Sequence, residues 1–192
     1  MAHISRRDLL LLLIGTRADG QPSDSVGGTT RLQKYTYLLE REQSIVPSKD
    51  GFEFQAYKAG PYSRRIYDDL ELLENLGFVS SEETGDATEG EATEISALSF
   101  EDLMGVSDSS DTTEGPDAYA EKHYKLTEQG LRKVRGMVDS RQYEPFVDGI
   151  RTVKSKYGRY SLNDLLYHVY TKYPEMAMES EIRSKVLGKG RR

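Results

Sequence analysis

The stretch that decides the fold is GFEFQAYKAGPYSRRIYDDLELLENLGFV, residues 51–79. Phe52 and Phe54 alternate as a half-buried strand requires. Gly60 and Pro61 are breakers that end that strand and turn the chain. Ser63 follows, a residue whose hydroxyl can take an orphan N–H of a first helical turn. Ile66, Leu70, Leu73 and Leu76 then recur at i, i+4, i+7 and i+10, one face of a helix. Gly77 supplies the left-handed residue that closes such a helix. Phe78 and Val79 begin a second strand.

Upstream, Arg6 to Ile14 predicts a first helix capped by Ser5. Ser5-Arg6-Arg7-Asp8 ahead of Leu9 to Ile14 has the outline of a twin-arginine export signal. The apolar run holds only six residues, short of the roughly 7–15 of a signal core, and no small-residue cleavage site follows it. A buried first helix is the better reading. Gly15 to Gly28 is rich in breakers and reads as a loop. A second helix starts at Thr30, where Thr30 and Gln33 have capping-box spacing. Leu32, Tyr35, Leu38 and Leu39 form its apolar stripe, and Arg31 and Lys34 fall off that stripe.

Composition changes after residue 80. Residues 81–117 carry 12 Asp and Glu and no Lys or Arg. The other 155 residues hold 20 acids against 26 Lys and Arg, a net of about +6. A segment this polar buries too little surface to offset its ordering entropy, so 80–117 reads as a disordered acidic insertion. Ile95, Leu98, Phe100, Leu103 and Met104 interrupt it, an acidic–apolar mixture of the kind that folds onto a protein partner. His123 to Leu126 then reads as a strand and Thr127 as a cap. Leu131, Val134 and Val138 give the next helix an apolar side, and Arg132, Lys133 and Arg135 a basic one. Pairing of 78–80 with 123–126 makes a wing whose tip is the insertion.

The last third is helical. Phe146, Ile150, Val153 and Tyr157 space helically up to Gly158, and Ser161 caps a further helix. Leu162, Leu165, Leu166, Val169, Tyr170 and Tyr173 form the clearest amphipathic stripe in the chain. It packs either on the preceding domain or on a second copy, and a homodimer through it is the expectation. A short helix from about Glu179 to Leu187 precedes a basic tail, with Arg183, Lys185, Lys189, Arg191 and Arg192.

These elements give an α+β, mainly helical chain. It is a winged helix-turn-helix over 1–138, with the acidic wing insertion at 80–117, and a helical extension over 139–192. With no cysteine, thiolate chemistry and thiolate metal sites are excluded. His3, His123 and His168 stand at no metal-ligand spacing, and no phosphate-cradling glycine loop is present. Asp68 and Asp69 are adjacent and point apart on a helix. The chain reads as a non-enzymatic protein without cofactors. No run approaches the ~18 apolar residues of a membrane span, so a cytoplasmic protein is expected.

Thr30-Arg31-Leu32-Gln33-Lys34 with Tyr37-Leu38-Leu39, then Tyr57, Gly60-Pro61-Tyr62-Ser63 and Leu70 to Gly77, resembles the YwgA-like proteins. Those look related to the Panacea domain of SocA-like antitoxins. Tyr124-Lys125-Leu126-Thr127-Glu128-Gln129-Gly130 is similar to the wing and following helix of MarR- and PadR-like repressors. The resemblance implies a regulator: an antitoxin-like protein, a DNA-binding protein, or both. For double-stranded DNA the expected contacts are Tyr62, Ser63, Arg64 and Arg65 in the recognition turn. Arg31 and Lys34 would reach the backbone, and Arg132, Lys133 and Arg135 would add to that face. Acids on the same helix (Asp68, Asp69, Glu71 and Glu74) oppose this, because phosphate neutralisation dominates such binding. The alternative is a protein-binding antitoxin or adaptor, working through Ile95–Met104 or the winged-helix surface.

Overall fold

A computed structural model of the chain describes residues 3–19, 25–47, 51–83 and 122–189. Residues 84–121, with most of the acidic insertion and its Ile95–Met104 island, and the tail residues Arg191 and Arg192 lie outside these; residues 80–83, expected in the disordered insertion, are instead strand, because they pair with 122–125.

Helix α1 (Arg6–Gly15) is the axis of the molecule. Ser5 caps it, its hydroxyl accepting from the Asp8 N–H at 3.1 Å. Leu9 to Ile14 are all fully buried. A helix that is apolar all round must be enclosed on every side. It is enclosed here by α2 (Thr29–Glu42), α3 (Arg64–Asn75), α4 (Glu128–Val138), α5 (Glu144–Tyr157) and a small sheet. Helix α6 (Leu162–Lys172), a 3₁₀ turn (Pro174–Ala177) and α7 (Arg183–Lys189) complete the helical part among the described residues.

Two antiparallel sheets accompany these helices. One has the order β1 (Ser25–Gly28), β5 (Lys122–Leu126), β4 (Val79–Glu83). Its β4–β5 ladder runs from Val79↔Leu126 to Glu83↔Lys122, so the expected pairing of these segments is present. Strand β1 lies inside the stretch read as a loop. It is four residues long and half glycine, with Gly27 at φ +91°, and therefore carries no strand signal of its own. Its partner β5 defines it, through Ser25↔Lys125 and Gly28↔His123.

The second sheet is a hairpin of β2 (Gln55–Tyr57) and β3 (Gly60–Tyr62). Here the sequence reading is corrected. Phe52 and Phe54 precede the strand, and Gly60 and Pro61 belong to the returning strand instead of the turn. Proline is tolerated because this two-stranded hairpin consists of edges. Gly60 has φ +86°, and a Cβ there would lie 2.6 Å from the Tyr170 ring.

Helix ends follow the expectations in part. Thr127 and Ser161 cap α4 and α6 through the N–H groups of Gly130 and Asp164. Gly77 closes α3 at φ +73°. Ser63 occupies the N-cap of α3 but makes no cap bond. Helix α2 starts at Thr29, and its N-cap is Gly28, which has no side chain to cap with; Gln33 bonds to Ser63 instead of closing a capping box.

The apolar stripe of α6 is enclosed by its own chain. Leu165, Leu166, Val169 and Tyr170 are buried, against α2, β3, the 3₁₀ turn and α7. It is therefore no dimer face. One hydrophobic core runs from Ile4 to Val186, so residues beyond 138 pack on the same interior as those before it.

Candidate functional site

The two motifs at Arg31–Lys34 and Gly60–Ser63 meet. Gln33 brackets one residue: its Oε1 accepts from the Ser63 N–H and its Nε2 donates to the Ser63 carbonyl, both at 3.0 Å. Lys34 donates from Nζ to the Pro61 carbonyl at 3.0 Å. The Ser63 hydroxyl donates to the Phe52 carbonyl and accepts no cap bond from α3. Gln33, Lys34 and Ser63 are all buried. Buried backbone groups must be paired, and at these sites side chains of α2 satisfy them. The pair of motifs is a clamp that fixes the hairpin and the start of α3 against α2.

This changes the set of residues expected to meet DNA. Lys34, Tyr62 and Ser63 are buried, so their side chains form no part of the outer surface. Tyr62 packs between the Tyr57 and Tyr67 rings, at 4.9 and 5.7 Å. Arg31 donates to the Tyr160 carbonyl at 3.0 Å. Arg65 pairs with Glu53 and reaches the Gly51 carbonyl. Lys133 pairs with Asp8 at 2.8 Å and lies over the Phe78 ring. Arg64 is exposed, 3.9 Å from Asp68. Arg132 and Arg135 are exposed on α4.

The acids of α3 also divide. Asp69 is buried and pairs with Arg6 at 2.6 Å and Arg7 at 3.6 Å. Glu74 accepts from the Ser81 N–H at 3.0 Å and from its hydroxyl at 2.6 Å. What α3 presents outward is Arg64, Asp68, Glu71, Leu72, Asn75 and Leu76. Leu72 is 38% and Leu76 50% exposed. Leu76 was expected on the buried stripe; it stands at the C-cap, where the helix leaves the core.

The densest polar cluster was not foreseen. The Glu42 carboxylate ends α2, its side chain only 8% exposed. It accepts from Lys172 at 2.7 Å, from the Tyr157 hydroxyl at 2.8 Å and from Lys156 at 3.1 Å. His168 Nε2 lies 3.5 Å from it and 2.9 Å from the Tyr157 hydroxyl. Burial alone would raise this carboxyl. The hydrogen bonds from Lys172, Tyr157, Lys156 and His168 outweigh burial and hold it at about 2. Burial and the neighbouring carboxylate push the Tyr157 phenol upward. The chain ends of α2, α5 and α6 are thus tied through one anion.

A second buried charge is Lys154, whose Nζ donates to the Thr16 carbonyl at the end of α1. Burial lowers its ammonium to about 7. Among the described residues no group of three or more His, Asp or Glu is placed to hold a metal ion. No helix of the described residues is long and apolar enough to cross a membrane. Comparisons with protein-family models, with curated proteins and with solved structures gave no match.

Proposed function

We propose that this chain is a non-enzymatic winged-helix regulator of antitoxin or adaptor type that acts by binding a protein. The order α1-β1-α2-α3-β4-β5, with sheet order β1-β5-β4, supports the winged-helix reading. In it the β2–β3 hairpin is an insert between α2 and α3, and residues 84–121 lie between the two wing strands. The resemblance to YwgA-like and Panacea proteins favours an antitoxin-like role.

One observation carries the choice of protein over DNA. The outward face of α3, which a winged helix uses for recognition, offers two acids, two leucines and a single arginine beside Asp68. Acids in a groove would meet phosphates, whereas leucines framed by polar groups suit a protein surface. Strand β4 leads from α3 into a run of acids without a cation, which favours a basic partner.

Double-stranded DNA remains the second reading, favoured by the exposed Arg132 and Arg135 on α4. Fluorescence anisotropy of the full chain with its own upstream DNA at low salt separates the two. The expected result is no sequence-selective binding, together with a protein that co-purifies in near-stoichiometric amount, resists nuclease and is lost from the Leu72→Ser/Leu76→Ser variant. Tight upstream binding weakened by Arg64→Ala and Arg65→Ala overturns the proposal.

A further inference from the structure

The Glu42 junction has an outer surface as well as an interior. Tyr160, between α5 and α6, stands on it, 36% exposed as a residue. Two neighbours meet this ring edge to face: Tyr157 at 5.5 Å and 90°, and His168 at 6.5 Å and 82°. Arg31 holds its carbonyl. The ring is therefore fixed, with part of its surface open to solvent.

The junction also carries cations, and Lys156 lies over the Tyr157 ring at 4.8 Å. Lys156 and Lys172 are each about half exposed even though both reach Glu42. Each ammonium has three donors, more than one contact to Glu42 uses. Arg159 and Arg41 are exposed, and Arg41 lies over Tyr37, which meets Tyr173 at 5.1 Å. The acids nearby are Glu42, turned inward, Asp164, bonded to Ser161 at 2.7 Å, and the exposed Glu175. Among these described residues, Arg31 included, five cations stand against three acids, and the most buried of those acids does not face solvent.

We propose that this junction binds single-stranded nucleic acid, one base stacking on Tyr160 and adjacent phosphates meeting Arg159, Lys156 and Lys172. A held aromatic ring within a cationic rim is the arrangement that takes unpaired bases without sequence selection. Bases in a duplex are stacked on one another and have no face to offer. An acidic peptide would use the cations but not the ring. The surface is built from α2, α5 and α6, so it stands or falls apart from the role given to α3.

The test is anisotropy of a labelled oligothymidylate of about 20 nucleotides, well beyond a single stacking site, with the full chain across a salt series. Tyr160→Ala is expected to weaken binding roughly ten-fold, as loss of one stacked base does, and Tyr160→Trp to preserve it. Arg159→Ala is expected to lower the salt slope by about 0.7, the value for one phosphate of a single strand. Tyr160→Leu keeps apolar packing on Tyr157 without the ring, and should weaken binding as the alanine variant does if that one folds poorly. Absence of binding at low salt overturns the proposal. So does binding that ignores Tyr160, binding of duplex as tight as single strand, or polyglutamate competing equally well.

Discussion

At the scale of single residues, two side chains in this protein do work that their type does not announce. Gln33 satisfies both backbone groups of Ser63. Gln33→Ala leaves a buried donor and a buried acceptor unpaired, each costing about 1–3 kcal/mol. A loss of about 3 kcal/mol is expected in urea unfolding. Lys154 is the second. Its ammonium is lowered by burial from 10.5 to about 7. The unfolded chain therefore binds a proton that the folded chain has released throughout that interval. Stability must rise with pH across it. Thermal melts from pH about 7 to about 9 should show this rise, and Lys154→Met should abolish it. A wild-type melt that is flat over this range would mean that Lys154 stays charged on the Thr16 carbonyl.

At the scale of elements, packing between helices rests on a few close approaches. Gly130, in the first turn of α4, has no room for a side chain: a Cβ there would lie 2.0 Å from the Phe78 carbonyl oxygen. Gly130→Ala must move α4 away from the β4 entry and should cost about 3 kcal/mol, at the upper end for overpacking. The ends of α2, α5 and α6 depend on the Glu42 anion. Its folded carboxyl is held at about 2, against an ordinary value of 4.5. The stability it brings is present above pH 4.5 and is lost as pH falls towards 2. Acid titration followed by near-UV circular dichroism should show this loss, because Tyr157 and Tyr173 report on the junction. Glu42→Gln should be less stable at neutral pH and insensitive to acid in that window.

At the scale of the whole molecule, the stripe on α6 decides between two assemblies. A dimer face and a core face look alike in a list of residues. Here Leu165, Leu166 and Val169 are buried by the chain's own elements. Leu166→Asp should therefore lower the melting temperature by the same amount at any protein concentration. A loss that shrinks as concentration rises would instead report a dimer held by this face. Two leucines left outside on α3, and a tyrosine ring left partly outside among lysines, are the surfaces on which binding is expected.

The amino-acid order by itself determined the elements that carry strong local signals. Leu9 to Ile14 had to be an enclosed helix, since six consecutive apolar residues leave it no polar face. Thr127 and Ser161 had to start helices, and Gly77 to end one, because hydroxyl caps and left-handed glycines are local devices. Strand β5 and the start of β4 were legible as short apolar runs, as was the chain's mainly helical α+β character; the rest of β4, Ser81 to Glu83, reads as insertion and is strand only because β5 pairs with it. Tertiary structure alone decided the rest. β1 exists only because β5 pairs with it, and the hairpin turn fell at Lys58-Ala59 once Gly60 and Pro61 joined a strand. Lys34 and Ser63 were drawn inside by carbonyls 27 and 11 residues away. Glu42 met Lys172 across 130 residues. A charged side chain carries no local mark of the partner that will bury it, since that partner is brought by the fold.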